Sequence, residues 1–169
     1  MGIESLQKLE ADLREMLDSL PTEHRRRPFL ERVLNDTHGQ IRLAVLEETV
    51  VEPQSFFGQI NATFGSKLAD DMQIRDVFWP ANAYANPKNE VYHRANFPDF
   101  LAVLQASTKS ERREFSRITG ALIWSKLYKT IGQLREASAE DLLKIPGVGM
   151  RGAAEIIQII KRPEPQTQK

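Results

Sequence analysis

Apolar residues recur every three or four positions along almost the whole chain, which is the helical period. Leu6, Leu9, Leu13, Met16, Leu17 and Leu20 form the first stripe, with Lys8, Glu10, Asp12, Arg14, Glu15 and Asp18 between them. The spacing predicts an amphipathic helix over residues 3–20, closed by Pro21. Core packing is the default reading of its seam of about two heptads, and a dimerisation helix is the alternative. Leu30, Val33, Leu34, Thr37, Ile41, Ala44 and Val45 predict a second helix, with Gly39 as its weak point. Phe56, Phe57, Ile60, Phe64 and Leu68 give a third stripe, with Pro53 suited to its first turn.

The middle of the chain breaks this pattern. Residues 70–79 read as a short helix ending at Trp79-Pro80. Residues 80–98 carry Pro80, Asn82, Asn86, Pro87, Asn89, Asn96 and Pro98, a composition that predicts an ordered loop. Helical spacing resumes at Phe100–Leu104 and again over 111–127. Ser110 is the expected cap of that longer helix, and Phe115, Ile118, Leu122, Ile123 and Leu127 its stripe. Trp124 on the same helix is assigned to the core. Ser138 and Asp141 have capping-box-like spacing. Ala153, Ile156, Ile157 and Ile160 mark the buried side of the last helix, before a polar tail from Lys161 whose residues 163–169 are expected to be disordered. No alternating pattern intervenes, so the expected fold is all-α.

The segment Ile145-Pro146-Gly147-Val148-Gly149 lies between two of these helices. Pro146 ends the first, because the residue before a proline is driven out of the αR region. The two glycines allow φ > 0 and a close backbone approach, while Val148 can plug the turn into the core. The following helix starts with unpaired N–H groups, which attract anions such as phosphate. Lys144 and Arg151 flank the segment with positive charge. A tight turn that only packs two helices is the alternative.

Ile145, Gly147, Val148 and Gly149 fill the apolar-x-Gly-apolar-Gly pattern of the helix-hairpin-helix DNA-binding modules, which this segment resembles. Upstream lie Ser116-Arg117-Ile118-Thr119-Gly120-Ala121-Leu122, then Thr130-Ile131-Gly132-Gln133-Leu134, then Ala139-Glu140-Asp141-Leu142-Leu143-Lys144. In that order the segments are similar to the C-terminal domain of the bacterial RNA polymerase alpha subunit, over about residues 110–162. The resemblance implies a compact helical domain that binds the DNA minor groove. It places Arg117 at the groove, and Gly149, Arg151 and Glu155 on the family's hairpin glycine, basic and acidic positions. Gly120 stands where the family usually has asparagine and Gly152 where it usually has serine. The resemblance therefore implies two domains: a helical module over 1–109, of unassigned function, and a helix-hairpin-helix domain over 110–162.

Charge sharpens this division. The formal net charge is +0, but residues 110–169 hold 11 Lys/Arg against 7 Asp/Glu, and residues 1–109 hold 12 against 16. The basic excess lies with the hairpin. The chain has no cysteine, which removes disulfides, thiolate zinc sites and cysteine nucleophiles and fits a cytoplasmic setting. Neither a signal peptide nor an apolar run of membrane-spanning length is evident. His24, His38 and His93 lack partners at metal spacing, so neither metal nor cofactor is expected. No phosphate-binding Gly-Lys-Ser/Thr, nucleophile elbow or acidic metal cluster appears, which argues against an enzyme. Arg25, Arg26 and Arg27 are accounted for by solvation or by Glu23 and Glu31. Trp79, Tyr84, Tyr92, His93 and Phe97 could stack bases, although a long loop more often buries its aromatics.

The expected function is non-catalytic binding of double-stranded DNA, in transcription or DNA architecture. Gly147, Val148 and Gly149 would form the phosphate-gripping turn, with Lys144, Arg151, Gly152 and Glu155 around it and Arg117 as the groove probe. The alternatives are an adaptor docking on a protein such as RNA polymerase, or an accessory subunit of a repair or nuclease complex.

Overall fold

The computed structural model describes residues 2–78 and 87–162, which contain ten α-helices and no β-strand. The fold is all-α. The chain divides into two compact units, residues 1–48 and 49–169. The expected boundary at 109/110 therefore falls inside the second unit, and the aromatic packing described below explains why. Residues 163–169, expected to be disordered, lie outside the described residues, as do Trp79 and Tyr84. Among the described residues no helix is long and apolar enough to cross a membrane.

The first unit pairs α1 (Ile3–Ser19) with α2 (Arg27–Glu47). Leu6, Leu13 and Leu17 of α1 are buried, while Leu9 and Met16 keep 36% and 45% of their surface exposed. Helix α2 runs unbroken through the exposed Gly39, since the buried Thr37 and Ile41 hold it on either side. One of the three clustered arginines has a structural task. The Arg27 guanidinium donates to the carbonyls of Leu17 at 2.9 Å and Leu20 at 3.1 Å, satisfying the end of α1.

The second unit carries α3 (Phe56–Phe64), α4 (Ile74–Phe78), α5 (Pro87–Asn96), α6 (Pro98–Ala106), α7 (Lys109–Ser125), α8 (Ile131–Glu136), α9 (Ala139–Leu143) and α10 (Met150–Ile160). Its core is a cluster of phenylalanines. Phe64 meets Phe78, Phe97 and Phe100 at centroid distances of 5.9, 5.1 and 5.3 Å. Phe115 of α7 meets Phe56, Phe78 and Phe100 at 6.2, 6.4 and 5.8 Å. Helix α10 packs on α3, and the Asn61 amide donates to the carbonyls of Ile159 and Lys161 at 3.1 and 2.8 Å. The hairpin helices thus share one core with residues 49–106.

Three capping boxes start the helices around the hairpin: Thr108 with Glu111, Thr130 with Gln133, and Ser138 with Asp141. The expected cap at Ser110 is displaced to Thr108, because only Thr108 has a glutamate three residues on to close the box. Gly132 lies where a Cβ would come within 3.0 Å of the Asp70 backbone oxygen, so the turn at 70–73 lies tight against 129–132. There the amides of Ile74, Ile131 and Gly132 pair with the carbonyls of Lys129, Met72 and Asp70.

The expected loop over 80–98 is in part helix. Pro87 and Pro98 each open a helix, since proline fits a first turn as well as a loop. His93 is fully buried and its Nε2 lies 2.7 Å from the Val77 carbonyl. Burial pushes its pKa down, so the ring is neutral and this nitrogen donates. Phe97 is buried as well, so neither ring is available for stacking bases. Trp124, expected in the core, is 75% exposed. At 3.6 residues per turn it lies on the side of α7 opposite Phe115. Leu127, expected on the buried stripe, falls beyond the end of α7 and is 55% exposed.

Candidate nucleic-acid interface

The hairpin forms because α9 stops at Leu143 and α10 starts at Met150, with Ile145 and Val148 buried between them. The Val148 amide donates to the Ile145 carbonyl at 3.0 Å, closing the turn over its apolar plug. The two glycines differ. Gly147 has φ +82°, in the left-handed region that glycine alone enters cheaply. Gly149 has φ −95° and ψ −171°, extended backbone open to any residue, and a Cβ there would meet nothing within 4 Å. The positive φ that the glycines permit is taken at Gly147 and not at Gly149, where a close approach from outside is the remaining reason expected for glycine.

Gly149 is the N-cap of α10 and offers no side chain to its first turn. The first-turn amides of Met150 and Arg151 therefore point outward from an uncapped, positively polarised terminus. The turn thus carries two exposed glycines over a buried apolar plug.

Arg117 reaches this turn from α7. Its Nη1 donates to the Gly147 carbonyl at 2.6 Å, and its Nη2 and Nε donate to Glu114 at 2.6 and 3.1 Å. A Cβ at Gly152 would lie 3.4 Å from the Arg117 Nη2 and from the Val148 side chain. That is ordinary van der Waals contact, so the arginine packs closely over the α10 backbone at this position. Arg117 braces the turn while its side chain stays 45% exposed.

Glu155 is 5% exposed, beneath this surface. Its Oε1 accepts from the Arg151 Nε at 2.9 Å, while Oε2 is buried without a hydrogen-bond partner among the described residues. Burial pushes its pKa up, and Glu114 adds to that shift while Arg151 opposes it. The hydrogen bond from Arg117 holds the Glu114 carboxyl below its ordinary value. Lys144 is exposed and donates to Asp141 at 2.9 Å.

The structure brings Arg117, Gly147, Val148, Gly152, Glu155 and Arg151 together, with Gly149 at the exposed tip and Lys144 on the preceding helix. It adds Glu114, which the sequence marks only by its place three residues before Arg117. Three cations, Arg117, Lys144 and Arg151, thus face four carboxyls, Glu114, Glu140, Asp141 and Glu155. The +3 of residues 49–169, from 16 Lys/Arg against 13 Asp/Glu, is not concentrated at the turn. Among the described residues no group of three or more His, Asp or Glu side chains could hold a metal. In comparisons with known proteins, the chain matches no family model, no curated protein and no solved structure.

Proposed function

We propose that the second unit binds double-stranded DNA without catalysis, through the backbone of the hairpin. The observation that carries this is Gly149. Neither its dihedrals nor its packing requires glycine, and the missing side chain leaves the start of α10 open to a phosphate from outside. The amides beyond it fit a phosphate oxygen. Arg117 stiffens the turn through the Gly147 carbonyl, and Arg151 and Lys144 can exchange their carboxylate partners for phosphate. Transcription or DNA architecture is the setting this chemistry suits.

Because each cation brings its own acid, few counterions are released on binding. With about two phosphates neutralised, log K should fall against log salt with a slope near −2. A titration of a labelled duplex with the full chain at two salt concentrations measures this, and absence of binding at low salt contradicts the proposal. The four carboxyls around the turn favour, as a second reading, an adaptor that docks on a basic protein surface. That reading predicts no duplex binding at any salt.

A further inference from the structure

Trp124 has the highest exposure of any large hydrophobic side chain among the described residues. It stands beside a recess of about 490 Å³ at the end of α7, a volume in the range of ligand sites. Arg75, Lys126 and Lys129 line the recess together with Tyr128, over a floor that includes Ile74 and Ile123. No carboxylate lines it. Asp76 lies to one side, 3.8 Å from the Arg75 Nε. Lys126 holds φ +56°, a left-handed position at a helix end that glycine or asparagine would occupy at less cost. Lys126 lines the same recess as the indole of Trp124.

The recess lies within electrostatic range of the first hairpin helix. Tyr128 lies within electrostatic reach of Asp141 and Lys144 on α9 and its cap. Arg117 and Trp124 are seven residues apart on α7, hence on one face and about 10 Å from one another along the axis.

We propose that this recess binds a single-stranded DNA segment, with an unpaired base stacked on Trp124 and its flanking phosphates on Lys126 and Lys129. Aromatic faces with cations beside them and no sequence-reading groups are the chemistry that holds unpaired strands. A protein partner fits less well, because lysine is depleted from the cores of protein interfaces and here two lysines and an arginine surround the aromatic. The choice of DNA over RNA rests on the duplex reading of the hairpin, whereas the stacking site does not.

The test uses the full chain and three labelled probes: a thymidine oligonucleotide of about 12 residues, a uridine oligoribonucleotide of the same length, and a duplex. Trp124 is exposed, so its replacement leaves the fold intact. Wild type should bind the thymidine strand, Trp124→Ala should weaken that binding about tenfold or more, and Trp124→Phe should retain most of it. Lys126→Glu with Lys129→Glu should weaken it and flatten its salt dependence. Gly149→Ala should spare the single strand while weakening the duplex. Single-strand binding that depends on Trp124 without duplex binding would sink the hairpin reading and leave this one standing. No binding of the thymidine strand by wild type, or unchanged binding in Trp124→Ala, overturns the proposal. Equal or tighter binding of the uridine strand overturns the assignment to DNA.

Discussion

At the scale of single residues, the two hairpin glycines do different work. Gly147 is glycine for the protein's own backbone, whereas Gly149 is proposed to be glycine for a phosphate outside it. Gly147→Ala forces a Cβ into the left-handed region and should lower stability by about 1–2 kcal/mol, readable as a fall in melting temperature. Glu155→Gln tests the buried carboxyl. Its folded pKa is raised, so native Glu155 holds its proton to higher pH than the unfolded chain does. Stability is therefore present below the unfolded value and lost as pH rises toward the folded one. Melting curves of Glu155→Gln and wild type should converge near pH 4 and separate, with the variant more stable, toward pH 7. A constant offset across that range would place the effect in packing. The hairpin itself was legible, because its pattern is local: a proline, two glycines and an apolar plug within five residues. Which glycine needs φ > 0 was not, since either could supply it. The raised pKa of Glu155 owes part to Glu114 from another helix, and nothing in the hairpin's own sequence announces that.

At the scale of elements, amphipathic periodicity located most helices, and tertiary partners decided which face each one buries. Leu13 illustrates this. Its heptad spacing fits a seam between copies, yet it is 4% exposed and packed in the pair of α1 and α2. What α1 leaves for a second copy is Leu9 and Met16. Leu13→Glu should therefore unfold the first unit, at a cost of about 3 kcal/mol or more, with loss of hydrogen-exchange protection over residues 3–47 and none over α10. Protected amides in that variant would show that Leu13 is dispensable to the pair. On α7, the stripe Phe115, Ile118 and Leu122 was readable from spacing. Trp124 is apolar, yet its helical angle sets it opposite Phe115, and that angle decides its exposure. Pro87 and Pro98 misled for a related reason, as proline opens helices as readily as it fills loops.

At the scale of the whole molecule, the all-α class followed from periodicity, but the division of the chain did not. Phe115 packs on Phe56, Phe78 and Phe100, and Asn61 holds the end of α10, across sequence separations that local patterns do not encode. A fragment of residues 110–162 should consequently fail to fold alone, whereas 49–169 should melt cooperatively. A sharp thermal transition in the shorter fragment would contradict the shared core. Phe64→Ala, which removes the ring joining α3 to Phe78, Phe97 and Phe100, should cost about 3–5 kcal/mol in the longer one. The central claim is that the hairpin backbone meets phosphate at Gly149, and one comparison tests it most directly: duplex affinity of the full chain against Gly149→Ala, with melting temperatures recorded on the same samples. Alanine there meets no protein atom and adopts φ −95° without strain, so stability should change by less than about 0.5 kcal/mol. The account predicts a loss of duplex affinity of about tenfold, ~1.4 kcal/mol, at unchanged stability. Duplex affinity equal to wild type in a folded Gly149→Ala would contradict it.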